Sequence, residues 1–349
     1  MKKKLKTIDL FAGIGGIRLG FQRAAALEGV QSECVFTSEY DKYACQTYGK
    51  NFPKDTHDPF NDITKIKEDS IPPHDILLAG FPCQAFSIAG KRGGFEDTRG
   101  TLFFDVARII KKHRPKAFLL ENVKGLINHR SGKTLATILN VLKTDLGYQS
   151  TQFKVLNAKN FGVAQNRERI YIVGFLEGGG GFDFPSSTEV TSSIGDIIEE
   201  EPVSVKYYVS DVYLKSMKEH RARHEAKGNG FGYEIRSFDD VANAIVVGGM
   251  GRERNLVIDN RLKDFTPVTH IKGEVNREGI RRMTPVEWER LQGFPDDWTA
   301  GVSDGQRFKQ LGNSVAVPAI EAISSRIIQE LKNPSEFVDT TKLQLELSL

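Results

Sequence analysis

The sequence predicts an α/β fold: a doubly wound, mostly parallel sheet joined to a second, smaller, loop-rich domain. Three observations carry this. In the first half, short apolar runs alternate with segments of helical period, the pattern of parallel strands covered by helices on both faces. These runs end in Gly, Pro, Cys or carboxylate residues, and the carboxyl ends of such strands are where ligands sit. The alternation then stops near Gly178-Gly179-Gly180-Gly181, a flexible break.

Leu5 to Phe11 reads as a strand entering the glycine loop Gly13-Ile14-Gly15-Gly16, and helical spacing continues in Ile17, Leu19, Phe21 and Ala24 to Ala26. Cys34 to Thr37 is a second strand with Glu39 at its end. Asp75 to Ala79 is a third, stopped by Gly80-Phe81-Pro82. Thr101 to Lys112 has a helical period. Ala117 to Leu120 is a strand ended by Glu121-Asn122, and Ile170 to Phe175 is another. From about Pro185 to Trp298 glycine and charge dominate, as in Lys227-Gly228-Asn229-Gly230-Phe231-Gly232 and Gly248 to Arg254. Val315 to Leu331 is an amphipathic helix that returns to the first domain. The expected division is 1–185, 186–304 and 305–349.

Composition excludes several classes. The 349 residues suit about two domains at roughly 150 residues each. No apolar run approaches the ~18 residues of a membrane span, and Asp9 and Arg18 interrupt the segment after Lys2-Lys3-Lys4, so no signal sequence forms. Three cysteines, Cys34, Cys45 and Cys83, speak against a disulfide scaffold and for a reducing, cytoplasmic compartment. The net charge of +3 neither requires nor excludes nucleic acid, because binding needs a basic face rather than a basic total.

Four constellations can carry chemistry. The loop Asp9 to Gly16 lets backbone approach a ligand and offers free N–H groups at a helix start. Glu39, 23 residues after Gly16, is placed to accept from ribose hydroxyls. The spacing is not a clean G-x-G-x-x-G, which favours a nucleoside cofactor without pyrophosphate, such as S-adenosylmethionine; the bland reading is a tight turn. Cys83 comes after a strand in a loop stiffened by Pro82, and the polar stretch Gln84 to Gly100 suits a lid rather than a core wall. A thiolate nucleophile is the functional reading there, whereas Cys34 and Cys45 read as buried small hydrophobes. Glu121 can act as a general acid or sit as a helix cap. Arg167 and Arg169 can fix a carboxylate or phosphate, or form a solvated cluster. Two motifs are decoys. Ser131-Gly132-Lys133-Thr134 lacks the upstream P-loop glycine, since position 127 is Ile127. His220 and His224 share a helix face but lack a third ligand, so no metal is expected.

Taken together and in this order, these residues resemble the cytosine-C5 DNA methyltransferases of bacterial restriction–modification systems. The match covers nearly the whole chain. Asp9 to Gly16 is similar to the cofactor loop, Ser38-Glu39-Tyr40-Asp41 to the ribose and adenine segment, and Asp62-Ile63 to the next cofactor contact. Gly80 to Gly90 is similar to the catalytic-cysteine motif, Glu121-Asn122-Val123 to ENV, and Gln165 to Arg169 to QxRxR. Arg282 to Pro295 resembles the motif orienting the recognition domain, and Gly312-Asn313-Ser314-Val315 closes the set. Gly94 to Arg108 is also similar to the GCGC-specific methyltransferase.

The resemblance implies a methyltransferase of Rossmann-like fold that uses S-adenosyl-L-methionine on duplex DNA. It implies roles residue by residue. Cys83, after Pro82, adds to cytosine C6; Glu121 bonds and helps protonate N3; Arg167 holds Glu121 and the base, and Arg169 joins the catalytic set. Phe11, Ala12, Gly13, Gly15, Gly16, Glu39, Tyr40, Asp62, Ile63, Asn313, Ser314 and Val315 bind cofactor. Tyr40 stands where several relatives carry Trp. The base must leave the stack to be reached, with Gln84, Ser87 and Arg99 on the closing loop near DNA. Residues 186–304 become the target-recognition domain, where Arg252 and Arg254 are candidates for base or phosphate contacts; a solvated hairpin tip stands level with that reading. Lys227 to Tyr233 points to a short palindrome of the GGNCC or CCNGG kind. The family pattern adds a monomer with a cognate restriction endonuclease as functional partner. Three alternatives remain: a tRNA cytosine methyltransferase of the same fold, disfavoured because 186–304 contains no cysteine; a thymidylate-synthase-like enzyme; and an inactive DNA-binding protein.

Overall fold

A computed structural model describes residues 4–82, 102–188, 190–248 and 251–336. The chain divides into two packing units. The first comprises residues 1–156, 168–186 and 319–349, and the second 157–167 and 187–318. Residues 305–318, expected to return to the first unit, therefore group with the second, and the return begins at Ala319.

The first unit is built on a sheet of six strands. They are β1 (Lys4–Leu10), β2 (Gln31–Ser38), β3 (Ile76–Ala79), β4 (Ala117–Val123), β5 (Gln152–Asn157) and β7 (Glu168–Phe175), in the order β2-β1-β3-β4-β7-β5. The short β6 (Gln165–Asn166) lies outside it. β1 runs parallel to both β2 and β3, and β3 parallel to β4. β7 pairs antiparallel with β4, an exception to the parallel expectation. The chain leaves β1 towards β2 and later returns on its other side at β3. That reversal opens a crevice at the carboxyl ends of β1 and β3.

Helices α1 (Gly16–Leu27), α2 (Lys42–Asn51), α3 (Leu102–His113) and α4 (Lys133–Asn140) belong to this unit. α1 buries Ile17, Phe21, Ala24 and Ala25 at helical spacing. Asp41 caps α2 by accepting from Tyr43 and Ala44 N–H. α3 buries Phe103, Val106, Ala107, Ile109 and Ile110, and ends in Lys111, Lys112 and His113, favourable against the helix dipole. These side chains join Ile8, Leu10, Leu77, Ala79, Phe118, Leu120 and Ile172 of the sheet in one core. β4 continues through Val123, so Glu121 and Asn122 lie inside the strand rather than beyond it.

The second unit holds α5 (Asp211–Glu225), α6 (Pro285–Gln292), α7 (Asp304–Asn313), and the strand pairs β6 with β8 (Ala242–Asn243) and β9 (Val257–Ile258) with β10 (Ile280–Arg281). Its apolar clusters are small, such as Val209, Leu214, Met217, Leu256 and Ile280. A buried ionic hub supplements them. Arg281, wholly buried, bonds Asp259 at 2.9 Å and both oxygens of Glu287 at 2.7 and 2.8 Å. Each charge is paired, as burial demands, and the hub holds Asp259 well below the usual carboxylate range, chiefly through Arg261. α6 begins with a capping box between Thr284 and Glu287. α8 (Val317–Lys332) then leads back to the first unit, where its Ser325, Gln329 and Lys332 all bond Glu28.

Candidate active site

The loop after β1 is tightly folded. Phe11, Gly13 and Gly15 all have positive φ, at 54°, 55° and 82°. Such a φ costs a bulky residue like Phe11 of order 1–3 kcal/mol, and persists where surroundings enforce it. Those surroundings are on β2 and after it. Ala12 N–H donates to the Ser38 carbonyl at 3.1 Å. The Glu39 carboxylate accepts from Gly13 N–H at 2.8 Å, Tyr40 N–H at 2.9 Å and Asp41 N–H at 2.7 Å. Gly15 is required for a second reason: a Cβ there would lie 2.3 Å from the Phe52 ring.

Phe52 is in turn clamped. The Arg18 guanidinium lies 3.9 Å over its ring and forks to Asp55 and to Tyr48 Oη, the latter at 2.8 Å. Tyr48 Oη shares a 2.8 Å bond with Thr37 Oγ1, which shares another of 2.8 Å with His57 Nε2. His57 closes the ring on Asp55 at 3.6 Å. Sequence reading missed this ring; its members are scattered from residue 18 to residue 57, with no motif spacing.

Behind the loop, Asp9 is wholly buried, and among the described residues neither carboxyl oxygen has a hydrogen-bond partner. Burial, against the opposing charge of Arg18 and with help from nearby Glu39 and Asp55, pushes its pKa up to about 7.

The features expected of a nucleoside site meet here. Backbone N–H groups open α1 without a side-chain cap, Glu39 stands at the strand end, and Tyr40 is 78% exposed with its ring available for stacking. These residues suit S-adenosylmethionine. The Asp62 carboxylate caps a turn, accepting from Thr64 N–H and Thr64 Oγ1 at 3.1 and 2.7 Å. The Ile63 side chain is buried in the core. Asn313, Ser314 and Val315 belong to the second unit, with Asn313 exposed and Val315 buried.

The loop after β3 starts at the same edge. Gly80 N–H donates to the Leu10 carbonyl at 3.4 Å. Asn122, buried in β4, donates to the Phe81 carbonyl at 2.8 Å and so fixes the turn entering Pro82, which is exposed. A Cβ on Gly80 would lie 3.6 Å from Glu121 Oε2, so this carboxylate faces the same turn. Arg169 pairs with Glu121 at 3.2 Å. The register explains why: Val123 lies opposite Arg169, making Glu121 its diagonal neighbour across the antiparallel pair. Cys83, Gln84, Ser87 and Arg99 lie outside the described residues. Asn122 is the functional residue that sequence reading passed over, although it sits inside the motif.

Arg167 has another set of partners. It is buried in the second unit and donates to the carbonyls of Ile245 at 2.7 Å, Gly312 at 3.1 Å and Ser314. Gln165 beside it donates to the Leu291 carbonyl at 2.9 Å and accepts from Ile245 N–H at 3.0 Å. The arginine paired with Glu121 is therefore Arg169 rather than the expected Arg167, while Gln165 and Arg167 tie loops of the second unit together. Of the arginines proposed to meet DNA, Arg254 pairs with Glu234 at 3.3 Å, while Arg252 lies 5.3 Å over the Phe308 ring. His220 and His224 stack at 4.5 Å on α5, which ends before Lys227; among the described residues no cluster suits a metal.

A model of the family "C-5 cytosine-specific DNA methylase" matches residues 5–329. Over 337 residues the chain is 59% identical to the Type II methyltransferase M.HpaII of Haemophilus parainfluenzae, covering 95% of this chain and 92% of that one. It is 45% identical over 333 residues to the Type II methyltransferase M1.ScrFI of Lactococcus lactis subsp. cremoris, covering 94% and 79%. In fold it is similar to the solved structure of the Entamoeba histolytica methyltransferase EhMeth, with TM-score 0.70 at 19% identity, over 95% of this chain and all of that one. A family model that spans nearly the whole chain and a relative 59% identical over 95% of it show that the chain belongs to the C-5 cytosine-specific DNA methylases and is a DNA cytosine-5-methyltransferase.

Proposed function

We propose that the enzyme methylates C5 of a flipped-out cytosine within a short duplex DNA site, through a covalent bond between Cys83 and cytosine C6. The observation that carries this reading is the shared edge of β1, β3 and β4. There the glycine loop, the turn held by Asn122 and the Glu121–Arg169 pair stand together.

Cytosine C5 is a poor nucleophile. The Cys83 thiolate adds to C6, and Glu121, acting as the acid, gives a proton to N3 as negative charge grows there. Arg169 orients Glu121 and stabilises the carboxylate left when the proton has gone. Electron density moves to C5. S-adenosylmethionine, when bound, supplies an electrophilic methyl group. Glu39 and the N–H groups of the glycine loop would hold it, with Phe11 and Tyr40 on the adenine. Loss of the C5 proton to a base expels the thiolate and restores the ring. The attack comes from above the ring plane, so the base leaves the stack. Residues 186–304 serve as the target-recognition region, with Arg252 and Arg254 towards DNA, and Gln84, Ser87 and Arg99 closing over the extruded base. M.HpaII and M1.ScrFI carry the Type II designation, which supports a restriction–modification setting; a cognate endonuclease as functional partner, a monomeric state and a cytoplasmic location complete the proposal.

Bisulfite sequencing of host DNA after expression tests reaction and site together. Protection of cytosines in one short motif is expected. Incubation with labelled cofactor and either duplex DNA or tRNA separates the alternative, and labelling of tRNA alone overturns the reading. Cys83→Ala is expected to abolish methylation while specific DNA binding persists; full activity in that variant would overturn the mechanism.

A further inference from the structure

A cleft of about 120 Å³ opens within the second unit, lined by Val246, Val247, Gly248, Arg252, Phe308 and Lys309 among others. It is far below the roughly 300–1,000 Å³ of a small-molecule site, so it takes a group rather than a whole ligand. Arg252 and Lys309 both line it, and among the described residues no acidic side chain does. Arg252 is exposed and pinned by its stacking on Phe308. Arg254, two residues on, has its charge matched by Glu234. The apolar wall is fixed from behind. A Cβ on Gly312 would lie 2.8 Å from Val247 and 3.0 Å from the Val246 carbonyl carbon, so only glycine lets this backbone sit so close. Gln165 and Arg167 hold the same segment by both polar groups of Ile245.

We infer that this cleft seats one phosphodiester of the DNA backbone, with Arg252 and Lys309 gripping the anion and Val246 and Val247 lying against the sugar. The inference rests on the duplex-DNA reading above and assigns Arg252 to the backbone rather than to a base edge. Guanine recognition needs one projecting guanidinium. A paired cation site with apolar walls suits a phosphate and its sugar, because low-dielectric walls strengthen attraction to an anion. Phosphate contacts set register and carry no direct sequence information.

The test measures binding of the full chain to a cognate duplex, its sequence read by bisulfite mapping, and to a scrambled duplex, from 50 to 300 mM salt. Arg252→Gln and Lys309→Gln are compared with wild type. Both variants are expected to weaken both duplexes by the same factor, of order 10-fold, and to shallow the log K against log salt slope by up to about 0.9, the value for one phosphate. Affinity for S-adenosylhomocysteine stays unchanged, which excludes misfolding. A loss confined to the cognate duplex at unaltered slope would assign Arg252 to base reading and overturn the inference. So would unchanged binding to both. In either case wild-type methylation still stands. A wild-type enzyme that ignores duplex DNA would instead fell the function on which the inference rests.

Discussion

At the scale of single residues, the site separates charges by environment. Glu121 has a guanidinium beside it and a turn to face, whereas Asp9 is buried with no hydrogen-bond partner among the described residues. Replacing Glu121 by Gln keeps shape but removes the group that stabilises charge at N3. A fall in kcat of roughly 10²–10⁴-fold is expected, with S-adenosylhomocysteine affinity unchanged by calorimetry; a comparable loss of cofactor affinity would place Glu121 elsewhere in the cycle. Asp9 makes a prediction about pH. Unfolded, its carboxyl titrates near 3.8; folded, near 7. Between these values the folded state holds the proton and the unfolded state has lost it. Stability is therefore greatest below about pH 4 from this group, falls as pH rises to about 7, and is level above. Asp9→Asn should flatten that limb of the melting-temperature profile, its advantage over wild type growing with pH. A profile parallel to wild type would mean that Asp9 is ionised in the fold.

At the scale of elements, the cofactor loop depends on what lies beneath it. Gly15 tolerates no Cβ for two independent reasons, its φ of 82° and the Phe52 ring. Gly15→Ala should raise the cofactor dissociation constant sharply. Adding Phe52→Ala should recover part of the loss, because the clash is relieved while the backbone strain of about 1 kcal/mol or more remains. A double variant no better than Gly15→Ala alone would show that the ring is not what the loop rests on. Much of this architecture was legible in sequence. The apolar runs at β1, β3, β4 and β7 are buried strands and read as such, and the carboxyl-end loops were located from Gly, Pro and Glu alone. β5 was not legible: as Gln-Phe-Lys-Val-Leu-Asn it buries little beyond Leu156, so its period is faint. α7 was missed for a related reason, since its buried face mixes Phe308 and Leu311 with Gln310 and Gly312. The Arg18 ring was illegible because charges paired in the interior look, in sequence, like charges in water.

At the scale of the molecule, the +3 total is the difference between 48 Lys and Arg and 45 Asp and Glu and does not say where the charges sit. Lys and Arg in residues 206–282 number 15 against 11 Asp and Glu, so an electropositive face must come from placement, as in the cleft that holds Arg252 and Lys309. The two units are also not two consecutive stretches of chain. Residues 157–167 precede β7 yet pack in the second unit. Their Gln165 and Arg167, exposed by only 0% and 2%, supply bonds to Leu291, Ile245, Gly312 and Ser314. Removing such donors leaves several buried carbonyls unpaired, each costing about 1–3 kcal/mol, against a domain stability of roughly 5–15 kcal/mol. A fragment of residues 187–318 alone should therefore lack a cooperative urea transition. The same fragment carrying 157–167 through a flexible linker should regain one, and Arg167→Ala within that fusion should lose it again. Cooperative unfolding of 187–318 by itself would show that the small clusters and the Arg281 hub suffice, and that the strand bearing Gln165 and Arg167 only docks onto a unit already folded.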